Sequence, residues 1–249
     1  MLFNDITPGN YFITATDTGV GKTFITSELG RYFQSLGYQT GAMKPFSSGG
    51  REDPVILKKV MKQGDELDLL NPVWFEQPLA PYACLLEEGL RDKGPEGLSR
   101  MRNAECPEFG MGNAECGIEI QNPKFRNPKS EIRKEESINK IKSAYTELSS
   151  KYDILLVEGI GGALVPLWKD YYVADLIKEM ELPALIIARA GLGTLNHTLM
   201  TIEVLKKRNI SIAGIILNGF TGQDISERKN RQVIEEMSRI RVLAEVPLH

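Results

Sequence analysis

Residues 11–23 read Tyr-Phe-Ile-Thr-Ala-Thr-Asp-Thr-Gly-Val-Gly-Lys-Thr, an apolar run leading into a turn that ends on lysine and threonine. Those residue types at that spacing suit phosphate chemistry. Across Thr18, Gly19, Val20 and Gly21, successive backbone N–H groups can face an anion; Lys22 adds a positive charge and Thr23 offers a hydroxyl to magnesium. The strict phosphate-loop spacing asks for glycine where Thr16 stands, so the motif rests on its setting. A strand-like run precedes it, and Phe24, Ile25, Leu29 and Phe33 follow at helical spacing. A merely structural strand-to-helix turn is the competing reading, and it leaves Gly-Lys-Thr at the helix start unexplained.

Two further clusters carry chemistry. Lys44-Pro-Phe-Ser-Ser48-Gly-Gly follows a short strand expected at 39–43, and it offers a cation, hydroxyls and a flexible turn to an anionic group. Taken alone it reads equally as ordinary surface structure. Asp53, at an apparent helix start, serves either as a cap, the default, or as a magnesium ligand. In 152–162 an apolar strand ends on Glu158 and runs into Gly-Ile-Gly-Gly. Opposite a phosphate loop, that is where a phosphate-bridging magnesium takes a carboxylate, so Glu158 is the preferred metal ligand over a turn-capping acid.

The elements that must position these residues alternate along the chain. Near-continuous apolar runs fall at 11–14, 154–157, 184–188, 212–217 and 242–244, as expected of parallel strands covered on both faces. Helical patterns fall at 22–36, 137–148, 194–207 and 227–237. The order implies one α/β domain over 1–249, with a mostly parallel β-sheet flanked by helices in a three-layer α/β/α arrangement of the P-loop NTPase type. In such sheets ligands gather at the carboxyl ends of the strands, where the clusters above fall.

The stretch from about 90 to 136 breaks this order. It is rich in Gly, Pro, Asn, Arg and Glu, and Asn103-Ala-Glu-Cys106 returns as Asn113-Ala-Glu-Cys116. We read a surface insertion there, with a partner-binding or lid segment as the competing reading. Cys84, Cys106 and Cys116 lack the spacing of a metal knuckle or a disulfide framework, so they are expected to be reduced thiols. A formal charge of -3, from 30 basic and 33 acidic residues, argues against nucleic acid as a partner. No apolar run is long enough to span a membrane and no export signal is evident, so a cytoplasmic location is expected.

In this order the motifs resemble the dethiobiotin synthetase family. The resemblance rests on Thr-Asp-Thr-x-Val-Gly-Lys-Thr, Lys44-Pro45 with Ser and Gly after it, Asn71-Pro72, Val157-Glu158-Gly-x-Gly-Gly with Pro166-Leu167, Gly193-x-Leu-Asn196-His197, and Asn218. It implies ATP-driven closure of a ureido ring on 7,8-diaminononanoate with CO2 from bicarbonate, releasing ADP and phosphate. By the same resemblance, Lys22 holds the transferring phosphoryl group, Lys44 the carbamate and phosphate oxygens, and Ser48 the carbamate end of the substrate. Thr23, Asp53 and Glu158 match the family's magnesium set, and Asn218 the adenine-recognising asparagine. A homodimer follows too, in which Gly193, Thr194, Leu195 and Asn196 receive the substrate carboxylate from the neighbouring subunit. His197 is assigned no catalytic role. Another P-loop amide synthetase and a ParA/MinD-like partitioning or positioning ATPase are the alternatives; the latter normally carries an extra lysine early in its loop, where Asp17 stands.

Overall fold

The computed structural model of the protein describes residues 2–91 and 128–248. Six parallel strands form the central sheet in the order β10-β9-β8-β1-β5-β2. They are β1 (Tyr11–Ala15), β2 (Thr40–Met43), β5 (Ile154–Glu158), β8 (Ala184–Arg189), β9 (Ile212–Phe220) and β10 (Val242–Pro247). Five of them lie where an apolar run was expected, and β2 lies where a short strand was expected. The reason is visible in the packing: along one strand, successive side chains enter opposite cores. Phe12, Leu155, Val157, Ile186 and Leu217 face one side. Ile13, Leu156, Leu185, Ile187 and Ile216 face the other.

Helices α1 (Lys22–Ser35) and α2 (Glu52–Met61) cover the second face, supplying Ile25, Leu29, Phe33, Leu57 and Met61. On the first face lie α5 (Pro128–Lys151), α6 (Val173–Glu179), α7 (Thr194–Lys207) and α8 (Ile225–Ser238), through residues such as Ile141, Leu148, Ile177, Ile202 and Ile234. The three-layer α/β/α arrangement is therefore the observed one. Helix α1 stops where Gly37, at φ 94°, takes the left-handed conformation and Tyr38 N–H reaches back to the Phe33 carbonyl.

Several elements went unread in the sequence. Strand β3 (Phe46–Ser48) pairs in parallel with β4 (Val73–Phe75), and β6 (Pro166–Trp168) pairs antiparallel with β7 (Tyr171–Tyr172). Short helices α3 (Leu67–Leu70) and α4 (Pro81–Arg91) fill the path between β3 and the break in the description. Helix α5 starts at Pro128, nine positions before the expected 137 and inside the stretch read as insertion. Proline at the first helical position is a start signal, because its missing N–H has no partner there in any case. The repeated Asn-Ala-Glu-Cys motif, with Cys106 and Cys116, lies outside the described residues; Cys84 is a buried free thiol. Among the described residues, no helix is long and apolar enough to cross a membrane.

Candidate active site

The phosphate loop leaves the carboxyl end of β1 between β5 and β8, with strands leading away on either side. Gly21, at φ 92°, turns the chain into α1, and its missing Cβ is required twice over: a methyl group there would lie 2.2 Å from Asn218 Nδ2. Lys22, the first residue of α1, is only 8% exposed. Burial, and then repulsion from Lys44, lower its ammonium to about 8, against the pull of Glu158, Asp53 and Asp17.

Lys44 follows β2 and crosses to the end of β5. Its Nζ donates to Glu158 Oε1 at 2.5 Å and to Asp53 Oδ2 at 2.7 Å. Burial alone would depress this lysine, but Glu158 and Asp53 outweigh it and hold the ammonium firmly charged. Asp53 is raised by burial and lowered more by Lys44 and by the Thr23 hydroxyl, so its carboxyl sits below its ordinary value. It lies in the first turn of α2 and makes no cap; its charge goes to Lys44 instead.

Glu158 ends β5 with its side chain fully enclosed. Its Oε1 also accepts the Thr23 hydroxyl at 2.8 Å, whereas Oε2 is buried with no hydrogen-bond partner. A buried carboxylate oxygen left without a donor calls for a cation or an ordered water. Glu158, Asp53 and the Thr23 hydroxyl supply hard oxygen ligands, the donor type a small divalent cation takes when phosphate oxygens and waters complete its shell. No group of three or more His, Cys, Asp or Glu side chains suited to a metal occurs among the described residues. The turn after Glu158 packs close: a Cβ on Gly162 would stand 3.1 Å from the Ala15 carbonyl oxygen, so glycine lets this loop lie against the phosphate loop.

A cleft of about 500 Å³ opens over this cluster, lined by Thr18, Gly19, Gly21, Lys22, Thr23, Lys44, Ser48 and Asp53, with Pro78, Leu79, Ile160 and Val165 as its apolar part. The structure thus gathers the phosphate-loop residues, both lysines, Ser48 and the candidate metal ligands in one place. Val20 is buried beneath the loop. Asn218, on β9, does not line the cleft; its Nδ2 donates to the Val20 carbonyl at 2.8 Å. Gly193, Thr194, Leu195 and Asn196 also lie off the cleft, at the start of α7, where Gly193 is the cap at φ 91° and Asn196 is exposed.

Sequence reasoning missed what holds Lys44 and Ser47 in place. Asn71 is fully buried; its Nδ2 donates to the Lys44 carbonyl at 2.7 Å and its Oδ1 accepts from Ser47 Oγ at 2.9 Å and Arg51 Nε at 3.0 Å. Arg51 also donates to the Leu67 and Asn71 carbonyls and to Asp68. In the sequence Asn71-Pro72 stands out only as a motif, and Arg51 carries no signal.

A family model described as an AAA domain matches residues 9–92 and 118–249, passing over a stretch inside the expected insertion. The ATP-dependent dethiobiotin synthetase BioD of Aquifex aeolicus (strain VF5) is 41% identical over 232 residues, covering 92% of this chain and 84% of that protein. The protein of the same name from Methanocaldococcus jannaschii is 35% identical over 236 residues, covering 93% and 91%. Among solved structures, a plasmid partition protein from Borrelia burgdorferi superposes with a TM-score of 0.52 at 13% identity, covering 98% of this chain and 91% of that one. The MinD cell division protein of Aquifex aeolicus gives 0.50 at 18%, covering 97% and 83%. These two share the fold alone. By sequence, the chain belongs to the ATP-dependent dethiobiotin synthetase family.

Proposed function

We propose that the cleft above the phosphate loop is where this synthetase closes the ureido ring of dethiobiotin from 7,8-diaminononanoate, CO2 and ATP, releasing ADP and phosphate. The observation that carries the reading is Lys44 bonded to both Glu158 and Asp53 in the same cleft as Lys22, at the mouth of a phosphate loop. One amine of the substrate adds to CO2 and loses a proton to give a carbamate, whose oxygen takes the γ-phosphoryl group of ATP as ADP leaves. The second amine then attacks the carbamoyl carbon; the ring closes and phosphate departs. A free carbamate is a poor acceptor because its leaving group is oxide; phosphorylation supplies a good one.

The residues divide this work. Lys22 and the loop amides hold the transferring phosphoryl group and offset the charge that moves during transfer. Lys44 holds the carbamate and phosphate oxygens, and Ser48, on the cleft wall, takes the carbamate end. Thr23, Asp53 and Glu158 are the residues that would hold magnesium, which when bound neutralises phosphate charge. Asn218 reads adenine, and the amides at Gly193 to Asn196 take the substrate carboxylate of the neighbouring subunit in a homodimer. The protein works in the cytoplasm, with neither nucleic acid nor membrane as a partner. A partition-type ATPase has the same fold but only 13% identity, and Asp17 stands where its second lysine belongs.

The direct test incubates purified protein with ATP, magnesium, bicarbonate and 7,8-diaminononanoate and follows products by mass spectrometry. Dethiobiotin and ADP are expected in equal amounts, both dependent on the diamine. ATP turnover indifferent to the diamine would overturn the reading.

A further inference from the structure

Behind the phosphate loop runs a chain of hydrogen bonds of which the reaction as described uses only one member, Asn218, and that one for the base. Asn230, 4% exposed on α8, donates through Nδ2 to the Ala190 carbonyl at 2.7 Å and the Gly191 carbonyl at 3.2 Å, in the turn after β8. Ala190 N–H donates in turn to the backbone carbonyl of Asn218 at 2.8 Å. Asn218 Nδ2 then donates to the Val20 carbonyl at 2.8 Å, and nothing but the hydrogen of Gly21 fits between that amide and the loop. Lys22 is the next residue. Each link is short, and its members are buried or half-buried, so a shift at one end has few ways to dissipate before the other.

The geometry points to Asn218 as a positioning residue for the phosphate loop, held in turn by Asn230, so that the height of Lys22 over the cleft depends on a brace from the turn that leads into α7. This goes beyond base recognition: the Asn218 amide spends an N–H on the loop backbone, and losing that donor disturbs phosphate binding whether or not a base is present. Val20 is 3% exposed, so a carbonyl stripped of its donor there is poorly served by water. The inference rests on the reading of this loop as the triphosphate cradle.

Inorganic tripolyphosphate with magnesium tests it, since that probe has phosphates and no base. Calorimetric titration of wild type, Asn218→Asp and Asn230→Ala is compared with their titration by ATP and GTP, after thermal melts confirm folding. Asn218→Asp keeps the side-chain shape and puts an oxygen against the Val20 carbonyl. It is expected to weaken tripolyphosphate binding about tenfold, the order of one lost buried hydrogen bond. Asn230→Ala is expected to weaken it in the same direction by about threefold, and it carries the test alone if the first variant does not fold. Unchanged tripolyphosphate affinity with a collapsed preference for ATP over GTP would mean that Asn218 reads the base only, overturning the brace. A lowered melting temperature with tripolyphosphate affinity intact would overturn it as well, leaving a structural role. If wild type binds no tripolyphosphate, the cradle reading fails and the inference with it, whereas binding that the variants leave untouched refutes only the inference.

Discussion

Lys44 Nζ stands 2.5 Å from Glu158 Oε1, and the two side chains are 3% and 0% exposed. The pair comes from the ends of β2 and β5, neighbours in the sheet, so strand register sets its separation. Removing Lys44 leaves the Glu158 carboxylate buried without its bonded counter-ion, a loss of roughly 3–5 kcal/mol in stability, whereas removing Glu158 leaves Lys44 its second partner, Asp53. Stability and catalysis must therefore be read apart at this position.

Lys44→Ala is expected to lower turnover about 100-fold or more while nucleotide affinity changes far less, because the ammonium is asked to act on charge that moves in phosphoryl transfer. A second variant, Lys44→Met with Glu158→Gln, removes both charges and is expected to melt higher than Lys44→Ala yet remain equally inactive. Recovery of turnover in the double variant would show that the single change had only damaged the fold.

Glu158→Gln alone preserves shape and leaves Lys44 paired with Asp53 at 2.7 Å. The oxygen of Glu158 without a partner, Oε2, is the atom free to meet a cation, so the substitution is expected to raise the magnesium concentration for half-maximal activity by about tenfold or more. Titration of activity with magnesium at saturating ATP measures it. An unchanged requirement would remove Glu158 from the metal site.

Much of this was legible beforehand because phosphate chemistry ties residue types to short spacings. Lys22 and Thr23 follow an apolar strand directly, Glu158 ends another, and a strand buried on both faces is apolar throughout, so its end is easy to see. Position along the chain does not reveal pairings between distant segments. Strands β3 and β4 have three residues each, too few to show a period of two, and their pairing joins segments more than twenty residues apart. The Arg51 fork around Asn71 has the same character: two of its partners are backbone carbonyls, which leave no mark in a sequence, and the others, Asn71 and Asp68, lie 17 or more positions away. The early start of α5 did leave a mark in Pro128 and was missed because the surrounding composition suggested an insertion.

The role proposed for Lys22 makes phosphate binding pH-dependent. With its ammonium at about 8 in the folded protein, it loses charge as pH rises through that value, while a bound phosphate favours the charged form. Affinity for ADP without magnesium is therefore expected to fall above about pH 8, by up to about tenfold per unit, and Lys22→Arg is expected to flatten the profile because guanidinium stays charged. Stability runs the other way. In the unfolded chain the group titrates near 10.5, so between about 8 and 10.5 the unfolded state holds more protons and this lysine's contribution to stability grows with pH. Below about 8 both states are charged and the burial penalty is complete. An ADP profile that is level from pH 7 to 9 would contradict the environment assigned to Lys22.

The start of α7 is the remaining part of the proposed site, and in the single chain it stands away from the cleft. If two subunits build each site, Lys44 of one and Asn196 of the other must serve the same substrate. Lys44→Ala and Asn196→Pro homodimers are each expected to be impaired, the second through a raised KM for the diamine with ATP binding intact, because proline in the first turn removes one of the free amides. Mixing equal amounts under exchange conditions gives hybrids in which one site carries both lesions and the other carries none. Random pairing makes half the dimers hybrid, so activity should return to about a quarter of wild type. Mixed protein no more active than the average of its parents would show that the two residues act within one subunit or that Asn196 takes no part.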